Sequence, residues 1–215
     1  MIDFDKAAVM AAQTLVKYEI TKAPVSVLSI LKQMKNVVVV SFSEVSDTLG
    51  IERSQLVPMF DKKQDAITSL HKNGDFKLYV VAYNKLLPFN IIQHSLAREL
   101  GHILLKHECD NADNAREAET FSNHLLFPRA LIHILEAAGM KITENVLSDL
   151  TGANEQAIRS MRRVPKTDVP AGLNSFVRNQ FMPFFLNYFD YHRYVLPRDE
   201  SAIADLGTYM NGYEE

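Results

Sequence analysis

Arg98-Glu99-Leu100-Gly101-His102 lies in an apolar helical stretch and is one residue away from the pattern H-E-x-x-H. In that pattern two histidines four apart on one helix face bind a single metal ion, and the glutamate beside the first activates a bound water. Here the first histidine is Arg98. A guanidinium is always protonated and offers only N–H donors, so it has no lone pair for a metal. The stretch therefore predicts a helix with a cation built into a ligand position.

Working outward, the spacing predicts this helix over 89–107, behind Pro88, a second over 115–126, and a third from Pro128 to about Ala138, before Gly139. His94, Arg98 and His102 follow one another at intervals of four and form one slowly drifting stripe. His94 and His102 are about 12 Å apart along the axis, too far to share one ion through that helix alone. Upstream, helices are predicted over 3–20 and from Pro24 to 35. Val37-Val38-Val39-Val40 predicts a buried strand within 36–42. A weaker strand at 66–71 leads through Asn73-Gly74, a two-residue hairpin signal, into a strand at 76–83. The class is therefore α+β, mainly helical with a small sheet.

Short helices at 143–151 and 154–163, around Thr151-Gly152-Ala153-Asn154, have the length of a helix-turn-helix and end in Arg159, Arg162 and Arg163. Pro165 and Pro170 mark a boundary. From Phe176 onward come five of the chain's 12 phenylalanines and five of its 8 tyrosines. Phe181, Phe184, Phe185 and Tyr188 share one helical face, which is expected to pack on the rest of the chain.

The chain has 215 residues, 47% of them hydrophobic, and a formal net charge of -3. This suits ordinary globular burial and disfavours a broad surface for nucleic acid or anionic membrane. The segment Met1-Ile2-Asp3-Phe4-Asp5 lacks a secretory pattern, and no apolar run reaches the ~18 residues needed to span a bilayer. Cys109, the only cysteine, has no internal partner for a disulfide. The expected setting is cytoplasmic, with no membrane.

Beyond the helix of 89–107, Arg116-Glu117-Ala118-Glu119-Thr120-Phe121-Ser122-Asn123-His124-Leu125-Leu126-Phe127-Pro128 sharpens the reading. The order of strand, hairpin, R-E-L-G-H helix and A-x-x-F-S-x-x-L-L-x-P helix resembles the ImmA/IrrE family of zinc metallo-endopeptidases. Its members read A-H-E-L-G-H and then E-x-E-A-x-x-F-A-x-x-L-L-x-P. The resemblance covers about residues 20–165 and is strongest over 94–128. It implies a zincin-like domain over 1–138, a helix-turn-helix-like hairpin over 139–165 and an aromatic-rich helical extension over 166–215. It also implies cytoplasmic, zinc-dependent cleavage of a DNA-binding repressor, in the control of mobile-element or stress genes.

Carried over by position, Glu99 matches the general base and His102 the second zinc ligand, while Arg98 replaces the first. The resemblance puts the third ligand at Ala115. Glu117 matches the next family glutamate, although two helical positions rotate it by roughly 200° from Ala115; a rescued metal site could recruit Glu117, His94 or His107, each needing geometry that the spacing does not supply. Two of three ligands are thus missing, and no cofactor is expected; zinc is expected only if the family activity survives. Arg98 then reads as a substitute cation pairing with Glu99 or Glu117, or as a half-exposed arginine in a salt bridge worth under ~1 kcal/mol.

The expected function is a metal-free pseudo-peptidase that binds a protein partner such as a DNA-binding repressor. The alternatives are an active zinc endopeptidase and a DNA-binding regulator contacting nucleic acid through Arg162 and Arg163. His107-Glu108-Cys109-Asp110 reads as a solvated helix end, His124 and His133 as structural, and Cys109 as an ordinary thiol.

Overall fold

A computed structural model describes residues 2–50, 65–109, 111–139, 143–152, 158–159 and 167–193. It shows a mainly helical α+β protein with a three-stranded mixed sheet. Among the described residues no helix is long and apolar enough to cross a membrane.

The first helix, α1 (Phe4–Lys17), is capped by the Asp3 carboxylate, which accepts from the Lys6 amide. Its buried residues are Ala7, Ala8, Ala11, Ala12, Thr14 and Leu15, and the four alanines allow a close helix approach. The next helix, α2 (Val27–Gln33), starts three residues later than expected, behind Ser26 rather than at Pro24. Its first amide, Val27 N–H, donates to the buried Gln93 Oε1 at 2.6 Å, so a side chain from another helix caps it.

The valine run forms β1 (Val37–Ser41), but at the edge of the sheet, not buried as expected. Val37 and Ser41 are buried, whereas Val38 is 44% exposed. Period-two alternation buries alternate residues when only one face is covered, even in an all-valine strand. Ser41 also starts a helix that the sequence reading lacked, α3 (Phe42–Leu49), through a reciprocal Ser41–Glu44 capping box; Gly50 ends it at φ 63°.

The hairpin pairs β2 (Ala66–Asn73) antiparallel to β3 (Phe76–Tyr83), and β1 runs parallel to β3 on its other side, giving the order β1-β3-β2. Asn73 pairs with Phe76, so the two loop residues are Gly74 and Asp75, one position beyond the Asn-Gly signal. Gly74 takes the positive φ of 58° that the first loop position needs.

The motif helix α4 (Phe89–Leu104) and its neighbour α5 (Ala112–Leu126) carry most of the site. The second begins earlier than expected because Asn111 caps it, accepting from the Asn114 amide at 2.9 Å. Pro128 precedes α6 (Arg129–Ala137), and Thr143 caps α7 (Glu144–Thr151). Of the expected partner helix over 154–163, only residues 158 and 159 are described, so the helix-turn-helix expectation, with Arg162 and Arg163, lies largely outside the described residues. Arg159 Nε is 3.7 Å from Glu144 Oε1.

The aromatic segment forms α8 (Ala171–Arg193). Val177, Phe181 and Phe185 are buried in the same core as Leu15 of α1, Leu96 and Leu100 of α4, Phe121 and Leu125 of α5, and Leu131 and Leu135 of α6. The segment packs inward, as its apolar face predicts. Phe184 and Tyr188 are partly buried against that core, and Phe176 is exposed.

Candidate functional site

At the centre of the motif, α4 and α5 approach closely enough that Gly101 cannot be replaced without displacement. A Cβ built on Gly101 would lie 3.0 Å from Phe121 Cδ1 and 3.2 Å from Ala118 Cα. That contact sets the register of the two helices. Glu119 then faces His94 and Arg98, earlier in α4, while Glu117 faces His107, beyond its end. The reversed order makes the pair antiparallel.

The first cluster contains the odd residue of the motif. Arg98 Nε is 3.4 Å from Glu119 Oε2, and His94 Nε2 is 3.3 Å from Glu119 Oε1. The partner of Arg98 is therefore Glu119, not the expected Glu99 or Glu117. Arg98 Nε is buried at ion-pair distance but lacks hydrogen-bond geometry, as does the neighbouring Asn123 Oδ1. Burial pushes the Glu119 carboxyl up, but the His94 hydrogen bond and the charges of His94 and Arg98 outweigh it, with help from Asn123, and hold it below its ordinary value. With side-chain exposures of 41% and 35%, the Arg98–Glu119 pair is worth at most ~1 kcal/mol. Glu99 is half-buried on the same helix.

The second cluster arises from how α4 stops. Leu105 is the cap, and Lys106 takes a left-handed φ of 61°. Lys106 N–H donates to Ile103 O at 3.2 Å, and His107 N–H to His102 O at 3.0 Å. These two bonds form a Schellman motif, a turn that normally places glycine at the left-handed residue. The turn folds His107 back onto His102, with Nδ1 to Nδ1 at 3.1 Å and the rings nearly perpendicular. In a continued helix the two would sit about 140° apart.

His107 Nε2 lies 3.1 Å from Glu117 Oε2, and the Asp3 N–H donates to Glu117 Oε1 at 2.7 Å. A carboxylate only accepts, so His107 Nε2 carries the proton; for neutral rings His107 Nδ1 then accepts from His102 Nδ1–H. The result is a chain from the Asp3 amide through Glu117 and His107 to His102. His107, expected at a solvated end, has a side chain only 7% exposed. Glu117, expected to be turned away, is the carboxylate of α5 that meets the end of α4. The rest of that terminus is exposed as expected: Glu108 pairs with Lys72 at 3.2 Å, and Cys109 is exposed.

A non-glycine residue in the left-handed region is strained by roughly 1–2 kcal/mol. Lys106→Gly is accordingly expected to raise stability by about 0.5–1 kcal/mol after the extra unfolded-state entropy of glycine. Chemical denaturation of the variant checks this, and a loss of stability would refute it.

The residues do not fit the zinc ion that the resemblance implies. A guanidinium holding Glu119 occupies the first ligand position, and both ring nitrogens of His107 are directed at other side chains. Among the described residues no three His, Cys, Asp or Glu side chains converge where one ion could be held. One remaining imidazole falls well short of the three protein ligands a catalytic zinc uses.

His102, Glu117 and Arg98 were thus picked out by the sequence, whereas His107 and Glu119 were missed as their partners. The small residues Gly101 and Ala118 were the available signal for Glu119, because they mark where two helices can touch. His124, read as structural, is buried on α5 with Nε2 at 3.0 Å from Thr167 Oγ1. His133 is exposed and 3.4 Å from Glu136. No family model, curated protein or solved structure matches the chain.

Proposed function

We propose that the protein is a metal-free pseudo-peptidase of the ImmA/IrrE type, a cytoplasmic binding module whose partner is a protein such as a DNA-binding repressor. The observation that carries this reading is the Arg98–Glu119 pair. The cation occupies the first ligand position and pairs with a carboxylate of the neighbouring helix, so that position offers no lone pair to a metal. The His102–His107–Glu117 chain supports the same reading, because it uses the remaining candidates on one another. The zincin-like and helix-turn-helix-like parts of the description rest on the resemblance of residues 94–128 and of the 139–165 segment to that family.

The test is metal content by mass spectrometry on protein purified without chelator or metal-affinity resin, with thermal unfolding before and after zinc addition. Wild type is expected to carry no stoichiometric metal and to show no zinc-dependent shift. One zinc per chain, lost in His102→Ala, would restore the active endopeptidase, with Glu99 as general base. Arg98→Ala should lower stability by about 0.5–1 kcal/mol, the range for a partly exposed pair within a small network. A loss within this range is what a half-exposed salt bridge gives; no loss at all would remove any substitute-cation role, and only a loss well above ~1 kcal/mol would establish one.

A further inference from the structure

We propose that the first turn of α1 is a strap closed over Glu117 and His107, able to open while the rest of the helix stays in place. The inference stands on the geometry of the second cluster and holds whichever partner the protein has.

Among the described residues, three contacts tie this turn to other elements, all from residues ahead of the buried face of α1. Asp3 N–H donates to Glu117 Oε1 at 2.7 Å. The Arg116 guanidinium lies 5.3 Å from the centre of the Phe4 ring. Asp168 N–H donates to Asp5 Oδ1 at 2.8 Å. The turn is thus tied to consecutive residues at the start of α5 and to the chain entering α8. Asp5 and Lys6 are themselves exposed, and Phe4 is partly buried.

From Ala7 onward the hold changes in kind. Ala7 and Ala11 are 0% exposed and belong to the main core with Leu15, so that part of α1 can leave only if the core opens. A helix end held by polar contacts opens at far lower free energy than a buried helix centre. The break between these regimes falls between residues 6 and 7.

Glu117 gives the strap its consequence. Its two oxygens are divided between the strap and the histidine chain, Oε1 to Asp3 and Oε2 to His107. With the first turn closed, the side chains of Glu117 and His107 are 11% and 7% exposed. Opening takes away the Asp3 donor and uncovers a carboxylate still aligned with His107 and His102. The strap touches this cluster at Glu117, through the Asp3 amide, so its opening reaches His107 through the carboxylate they share.

The experiment uses the full chain with hydrogen–deuterium exchange and diethylpyrocarbonate labelling read by mass spectrometry, on wild type, Phe4→Ala and Asp5→Ala. In wild type, amides of residues 3–9 are expected to exchange at least about tenfold faster than those of 10–17, and His107 to label far more slowly than exposed His133. Each variant removes one anchor outside the core and should speed His107 labelling about fivefold or more, with the exchange of 10–17 unchanged. Equal exchange across α1 would make the first turn part of the core and overturn the proposal. So would His107 labelling as fast as His133 in wild type, or labelling unchanged in both variants. None of these readouts depends on metal or partner binding, so failure here is distinguishable from failure of the pseudo-peptidase reading.

Discussion

Phe121→Ala is expected to destabilise the protein by about 3–5 kcal/mol, the range for emptying a fully buried aromatic site. Phe121 is 0% exposed, and its ring lies against the backbone of Gly101, where a Cβ would come within 3.0 Å. Loss near the top of the range follows from that contact, because Gly101 has no side chain to fall into the cavity. The space can shrink only if α4 moves as a body, and α4 is tied to α2 through Gln93 and to α5 through Glu119. Guanidinium unfolding with an unchanged slope is the measurement. A loss below about 1.5 kcal/mol would mean that α4 does collapse inward, and the register joining Arg98 to Glu119 would have to be softer than the close approach at Gly101 suggests.

The same contact shows what the sequence made legible. The R-E-L-G-H helix and its neighbour follow from helix start and stop signals, and the hairpin from its turn residues, because these signals are local. Serine at 41, glutamate at 44 and glycine at 50 are equally local signals for α3, a capping box and a left-handed stop. The side-chain pairing within the site was not local. Whether Arg98 meets Glu99, Glu117 or Glu119 depends on how far α5 slides along α4, which a packing contact between Gly101, Ala118 and Phe121 decides. The folding back of His107 depends on a left-handed residue, and lysine at 106 gives none of the warning that a glycine would. Four consecutive valines read alike, whereas β1 buries alternate residues because one face of the strand is covered, leaving Val37 buried and Val38 exposed.

Acidification should destabilise the fold through His124, by about 2 kcal/mol between pH 7.5 and pH 5. His124 is 7% exposed on α5, and burial, with the charge of Arg129, pushes its pKa down from 6.5 to about 4. The unfolded chain then takes up a proton as pH falls through 6.5, while the native protein takes it up only near 4. The stabilisation is complete above 6.5, is lost progressively as pH falls, and is gone below about 4, where the total approaches about 3 kcal/mol. Glu119, whose carboxyl is held below its ordinary 4.5, adds to the loss only below that value, so it does not contaminate the upper window. His124→Gln keeps a polar group facing Thr167 without a titrating proton, and should flatten the dependence between pH 7.5 and 5 while costing roughly 1 kcal/mol at pH 7.5. Urea midpoints of both proteins across this range decide the matter. An equal slope in the variant would assign the pH dependence to other groups, whereas a flat variant would place it on a histidine that lies on the same helix as Glu117 and Glu119.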